Sequence, residues 1–211
     1  MKLVNSVDGN QKHFYPKKVY CFRTIKEALE ELLARPGFKE TLHAGPTKSD
    51  SQFMFDTCDG KIYHDFKDDD LKEFFANKRN IGLMMNFDFF DPFENTEYSL
   101  GVIYCVITNL PRHLRFKWEN VLVLGVIPGP SEPKLTINTF LEPIVDELIQ
   151  FWKGKPINES KEDVCIYKAA LVCLSSDIPA TRKCGGFLGH NARKGIKVAL
   201  FQNLSFDFLP C

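Results

Sequence analysis

The second half of this 211-residue chain is organised around the apolar stretch Ile81-Gly-Leu-Met-Met-Asn-Phe-Asp-Phe-Phe90. It is short and rich in aromatic residues, which is typical of a β-strand. Two similar runs follow at residues 98–108 and 121–127, and the second of them ends at Pro128-Gly-Pro130. Because only short connections separate these three runs, the pattern predicts an antiparallel meander of three strands.

A helix and a fourth strand are predicted after this meander. Apolar side chains recur at helical spacing over residues 137–152, with Pro143 inside the run. Residues 164–174 form the next apolar stretch, which predicts a strand. The helix can cross over and place the fourth strand parallel to the first. The sequence therefore predicts an α/β fold with a mixed sheet in the order strand, strand, strand, helix, strand.

Residues 1–79 are expected to form a helical segment in front of this sheet. Thr24-Ile-Lys-Glu27 is a capping-box sequence, followed by apolar residues at helical spacing up to Pro36-Gly37. Residues 68–78 are predicted as a second helix, because acidic residues in a first turn interact favourably with the helix dipole. Residues 1–20 lack a clear period and are predicted as a loose arm.

Composition excludes several classes of protein. The 27 Lys and Arg residues balance 27 Asp and Glu residues, so a broadly basic nucleic-acid coat is excluded. No apolar run is long enough for a membrane-spanning helix, and none at the start suits a secretory signal. The seven cysteines are odd in number and irregularly spaced. We expect reduced thiols in an intracellular protein that is neither secreted nor membrane-bound.

Two aspartates stand near the ends of the first and fourth predicted strands. Asp88 lies inside an apolar run, where an ionised carboxylate is unfavourable unless something pairs with it. Asp177 follows the fourth strand. If these strands are neighbours, both carboxylates can approach one point, and divalent cations would relieve their repulsion. Such an all-oxygen site favours Mg²⁺ or Mn²⁺, and a pair of these ions supports in-line phosphoryl transfer.

A plainer interpretation exists for these acids. A single aspartate near the end of a strand is often a turn residue or a helix cap, and this applies to both Asp88 and Asp177. Asp91 competes with Asp88 as a ligand, but Asp91 precedes Pro92, and this dipeptide is typical of a turn.

Three weaker patterns also remain open. A zinc site from Cys173, Cys184 and His190 lacks finger-like spacing and a fourth ligand. Two basic stretches, residues 112–118 and 182–197, suit either phosphate contact or an ordinary solvated surface. The aromatic residues within 112–118 add the option of stacking on single-stranded nucleic acid.

Five segments occur in order along the chain: Asn109-Leu-Pro-Arg-His-Leu-Arg-Phe-Lys117, Val126-Ile-Pro-Gly-Pro-Ser-Glu-Pro-Lys134, Phe140-Leu-Glu-Pro-Ile-Val-Asp-Glu-Leu148, Cys173-Leu-Ser-Ser-Asp-Ile-Pro-Ala180 and Gly186-Phe-Leu-Gly-His-Asn-Ala192. Together they resemble the transposases of CACTA-type (En/Spm-like) DNA transposons. The resemblance covers residues 20–195 and is strongest after residue 80. It implies an RNase H-like nuclease core in which an acidic triad binds two metal ions.

The same resemblance assigns roles to individual residues. It makes Asp88 the first-strand ligand and Asp177 the fourth-strand ligand of Mg²⁺ or Mn²⁺, and so the catalytic residues. The implied reaction is cleavage of a DNA phosphodiester followed by strand transfer. DNA is the implied partner, and the nucleus is the implied location, with the cytoplasm as the alternative.

The sequence departs from the family pattern after residue 195. Relatives continue into a Cys-x-x-Cys pair and a third acidic residue on a downstream helix, whereas Asp207 is the only acid in this tail. We therefore expect a partial RNase H-like core at 80–195 and a divergent tail at 196–211. The chain then represents a truncated, inactive transposase fragment that binds metal weakly.

Two alternatives to this interpretation remain open. The first is a non-catalytic module that binds DNA, or that assembles with full-length transposase or with itself through an exposed sheet edge. The second is a gene remnant without function.

Overall fold

The computed structural model describes residues 3–8, 11–16, 18–46, 53–133, 137–160, 163–177 and 180–181. The strands are β1 (Leu3–Asp8), β2 (Gln11–Pro16), β3 (Cys21–Phe22), β4 (Asn80–Phe90), β5 (Leu100–Ile107), β6 (Leu122–Ile127), β7 (Lys155–Asn158) and β8 (Val164–Leu174). The helices are α1 (Ile25–Leu33), α2 (Phe38–Ala44), α3 (Lys61–Asp65), α4 (Arg112–Arg115) and α5 (Ile137–Lys153).

The described strands from β3 to β8 form one mixed sheet, and β1 and β2 form a separate antiparallel hairpin. The order in the sheet is β3-β6-β5-β4-β8-β7. β4, β5 and β6 pair antiparallel, α5 follows them, and β8 pairs parallel to β4. The predicted meander, the crossover helix and the parallel pairing of the first and fourth strands are confirmed.

One face of the sheet carries the main core. Successive side chains of a strand point to opposite faces, and Leu83 and Phe87 of β4 are buried on the same face. They belong to one hydrophobic cluster with Leu29 of α1, Leu42 of α2 and Ile144 of α5. The helices thus cover this face and leave the other face of β4 to different partners.

The amino-terminal half of that other face lies under a group of aromatic side chains. A Cβ atom placed on Gly82 of β4 would lie 3.0 Å from the ring of Phe75, so the ring packs directly on the glycine. Phe75 stacks on Tyr63 with ring centroids 3.9 Å apart, and the neighbouring Phe74 stacks on Trp152 of α5. The aromatic group therefore covers the beginning of β4, away from its carboxyl-terminal end.

The start of α1 is held by two separate carboxylates. The predicted capping box is confirmed, since the N–H of Glu27 donates to Thr24 Oγ1 and the N–H of Thr24 donates to Glu27 Oε2, each at 3.1 Å. Glu147, buried in α5, accepts the N–H groups of Ile25 at 2.6 Å and Lys26 at 3.1 Å. These bonds satisfy donors that a helix leaves open, and they join α1 to α5.

The expectation of a helical N-terminal segment needs a correction. Residues 3–16 contain the β1–β2 hairpin instead of a loose arm, and β3 joins the sheet beside β6. Residues 68–78 do not form the predicted helix, because Asp68 Oδ1 accepts the N–H groups of Asp70 and Lys72. An aspartate that binds nearby N–H groups in this way offers the backbone an alternative to a helix.

The predicted division of the chain stays a prediction. The proposed boundaries fall after residues 79 and 195, and residues 182–211, which include the tail, lie outside the described residues. Within the part of the chain that the structure describes, no helix combines the length and apolar character needed to cross a membrane.

Candidate functional site

Both predicted site aspartates lie at the carboxyl-terminal end of adjacent parallel strands. Met85 of β4 and Leu174 of β8 are Cα partners, and the N–H of Ser175 donates to the carbonyl of Met85 at 2.8 Å. Asp88 and Asp177 each follow one of these paired residues by three positions. In open α/β sheets, ligands bind beyond the carboxyl-terminal ends of the parallel strands.

Asp88 is exposed on the face of β4 opposite the main core, toward the other end of the strand from the aromatic group. The alternation of the strand places Phe87 fully in the core and turns Asp88 to the opposite side, where Val102 of β5 is its Cα partner. The expectation that apolar neighbours desolvate this carboxylate was therefore wrong. Among the described residues, none forms a hydrogen bond or ion pair with Asp88.

Polar groups share this open face with Asp88. Asn86 of β4 and its Cα partner Tyr104 of β5 are both half-buried there. Cys173 of β8 is the Cα partner of Met84 on the same face. Desolvation raises the pKa of the Cys173 thiol, so this group stays neutral near neutral pH. Asn86 and Tyr104 thus place oxygen donors on the same face as the carboxylate of Asp88.

Asp177 combines exposure with a fixed orientation. Its Oδ1 accepts the N–H of Ala180 at 2.7 Å, and its carbonyl accepts the N–H of Thr181 at 2.9 Å. Ala180 is buried in the main core, which anchors the turn that follows β8. Asp177 is thus a capping residue, as the plainer interpretation predicted, and the cap holds its carboxylate at the strand end.

The other sequence candidates separate from this site. Asp91 is exposed in the loop after β4, before Pro92, but the turn of this loop lies at residues 94–95 and not at the predicted Asp91-Pro92. Cys184, His190 and the basic stretch 182–197 lie outside the described residues. The zinc and phosphate interpretations that depend on them stay predictions.

A second cluster of possible ligand atoms comprises Glu159, Asp163 and Cys165. Glu159 is buried, and its Oε1 accepts hydrogen bonds from Arg79 Nε at 2.9 Å and Tyr167 Oη at 2.8 Å. Lys39 forms an ion pair with its Oε2. Burial alone would raise the pKa of Glu159, but the bonds from Lys39, Arg79 and Tyr167 outweigh it and hold that pKa at about 2.

This second cluster is already neutralised by protein cations, so it favours a structural role over metal binding. No pattern in the sequence predicted this cluster. Lys39, Arg79 and Glu159 are far apart along the chain and carry no motif that would connect them.

Comparison with known protein families finds a match over most of the chain. A family model described as "Transposase family tnp2" matches residues 52–202, which is more than two thirds of the chain. The matched span contains both Asp88 and Asp177, together with the strands that carry them. No curated protein and no solved structure matches the chain.

Proposed function

This chain belongs to the transposase family tnp2, and we propose that it acts on DNA as a CACTA-type (En/Spm-like) transposase with an RNase H-like core. The observation that carries the proposal is the parallel pairing of β4 with β8. Because the two strands run in the same direction, Asp88 and Asp177 lie toward the same end of the strand pair. The antiparallel meander, the crossover helix and the strand order β6-β5-β4-β8 support the proposed core.

In this proposal, Asp88 and Asp177 hold Mg²⁺ or Mn²⁺. Carboxylate oxygens are the hard donors that these cations prefer. Asp88 fits the role because it is exposed and has no cation beside it among the described residues. When bound, a pair of ions stabilises the attacking and leaving oxygens of an in-line displacement. Asp177 contributes a carboxylate that the Ala180 N–H already orients.

We further propose that Asp88 and Asp177 alone support only weak cleavage, in place of the inactivity expected from the sequence. Two assigned carboxylates hold a pair of ions less firmly than three, and ligand loss degrades both affinity and positioning. The proposed substrate is DNA, and the proposed location is the nucleus, where genomic DNA is found.

Plasmid cleavage tests this function. The purified chain is incubated with supercoiled plasmid and Mn²⁺, and nicked and linear products are quantified on gels. We expect slow, metal-dependent cleavage that is lost in Asp88→Asn and in Asp177→Asn. The matched control is Asp91→Asn, which removes an exposed carboxylate from the adjoining loop. Cleavage that persists in Asp88→Asn, or that continues when EDTA removes the metal, would contradict the proposed roles.

A non-catalytic assembly module is a second candidate, favoured by one edge of β8. β7 pairs with β8 only along Val164–Tyr167, so residues 168–174 have no strand partner on that side within the described residues. The outer edge of β7 differs, since Lys26 and Glu30 of α1 bind its backbone. An open strand edge invites pairing with another chain. Sedimentation velocity tests this candidate, and a monomer at all concentrations contradicts it.

A further inference from the structure

We propose that the loop between β5 and β6 binds single-stranded DNA by stacking bases on Phe116 and Trp118. The inference goes beyond the proposed cleavage site and relies on it only in taking DNA as the nucleic acid. The loop follows Ile107, whose Cα partner is Leu83, whereas Asp88 pairs with Val102 nearer the other end of β5. The two surfaces therefore lie toward opposite ends of the sheet.

The aromatic side chains of this loop present their faces to solvent. Trp118 is 86% exposed and Phe116 is 60% exposed, although they stand only two residues apart. The other tryptophan, Trp152, is instead packed against Phe74. Exposed aromatic rings are the platforms on which proteins stack successive bases of a single strand.

Basic side chains stand in the same loop as these rings. Arg112 and Lys117 are exposed, and neither of them forms an ion pair with a described residue. Glu119 is the only acid between residues 109 and 120. A surface with uncompensated positive charge attracts phosphates, and single-strand binding proteins combine such charge with stacking rings.

Hydrogen bonds hold the loop in place. Arg115, which is buried, forms two bonds to the carboxylate of Asp56 at 2.7 and 2.8 Å. Its Nη2 also donates to the carbonyls of Thr108 and Leu110, at 2.8 and 3.0 Å. The exposed rings are thus presented from a fixed backbone, and binding to a fixed surface loses less conformational entropy.

The arrangement favours a single strand over a duplex or a protein partner. In a duplex, the base faces are already stacked on one another, so they are closed to Phe116 and Trp118. The core of a protein interface is depleted of charge, whereas the exposed Lys117 lies between Phe116 and Trp118 in the sequence. An anionic ligand with free base faces matches both properties.

The test measures fluorescence anisotropy of a labelled 20-nucleotide oligo-dT and of a 20-base-pair duplex. We expect the wild-type chain to prefer the single strand, with quenching of Trp118 emission. Phe116→Ala/Trp118→Ala should bind at least about 25-fold more weakly, since each stacked base contributes about fivefold or more. Lys117→Gln should lower the slope of log affinity against log salt by about 0.7. Ile149→Ala, an exposed apolar residue of α5, is the matched control.

Three results would overturn the inference. They are equal affinity of the double variant and the wild type, preference for the duplex, and self-association that Trp118→Ala abolishes. Circular dichroism of each variant confirms that it is folded. Asp88→Asn should retain full single-strand binding, so failure of this inference and failure of the cleavage proposal give different outcomes.

Discussion

Glu159 and Asp88 are carboxylates at opposite ends of the β4–β8 strand pair, and they differ both in burial and in the groups that bind them. Glu159 is buried and bound by Lys39, Arg79 and Tyr167. Asp88 is exposed, and no described residue offers it a hydrogen bond or a cation. A carboxylate that the protein has neutralised serves the fold, whereas one left uncompensated at a strand end is available to an external cation.

The largest expected effect on stability tests whether successive residues of β4 alternate between core and solvent, with Phe87 facing inward and Asp88 outward. Phe87→Ala removes a fully buried ring next to Asp88 and should lower the free energy of unfolding by about 3–5 kcal/mol. Asp88→Asn changes an exposed side chain and should alter it by about 0.5 kcal/mol or less. Urea denaturation measures both variants. Similar losses in the two would mean that Asp88 is buried and that the comparison fails.

Glu159→Ala should have the next largest effect. It leaves Lys39, Arg79 and the hydroxyl of Tyr167 without their shared acceptor. Because Lys39 and Arg79 are partly exposed, we expect a loss of about 2–3 kcal/mol in the free energy of unfolding, below the range for fully buried pairs. Thermal and urea unfolding check this value. A loss close to that of Asp88→Asn would remove the distinction between the two carboxylates.

The pH dependence of stability sharpens the same contrast. The pKa of Glu159 is held at about 2 in the folded protein, below its ordinary value of 4.5. Its stabilising contribution is therefore complete above pH 4.5 and is lost as the pH falls toward 2. The difference in unfolding free energy between wild type and Glu159→Gln should shrink over this window. A difference that stays constant with pH would show that the ionised carboxylate does not stabilise the fold.

Sequence patterns predicted those elements of the fold that depend on local or periodic interactions. The strands from β4 to β6, α5 and β8 follow from apolar runs and helical spacing, and the capping box at Thr24 follows from residues three apart. The crossover helix predicted that the first and fourth strands are parallel neighbours, and therefore that Asp88 and Asp177 lie toward the same end of the two strands. The family match over residues 52–202 agrees with a transposase resemblance that the sequence motifs already carried.

The other features of the fold and of the site depend on contacts that no local sequence pattern predicts. Glu147 caps α1 from a helix more than 100 residues away, and Glu159 is bound by Arg79, which lies 80 residues away in the chain. Asp88 is exposed despite its apolar neighbours in the sequence, because alternate residues of β4 face solvent near the end of the strand. The hydrogen bonds of Asp68 likewise overrode the helical signal of residues 68–78.

Manganese binding is the most direct test of the central claim, that Asp88 and Asp177 together hold a divalent cation. Free Mn²⁺ is followed by electron paramagnetic resonance during titration of the wild-type chain, Asp88→Asn, Asp177→Asn and the control Asp91→Asn. We predict that each of the first two substitutions weakens binding by at least about tenfold, while Asp91→Asn binds like the wild type. Equal Mn²⁺ affinity in all four proteins would contradict the account.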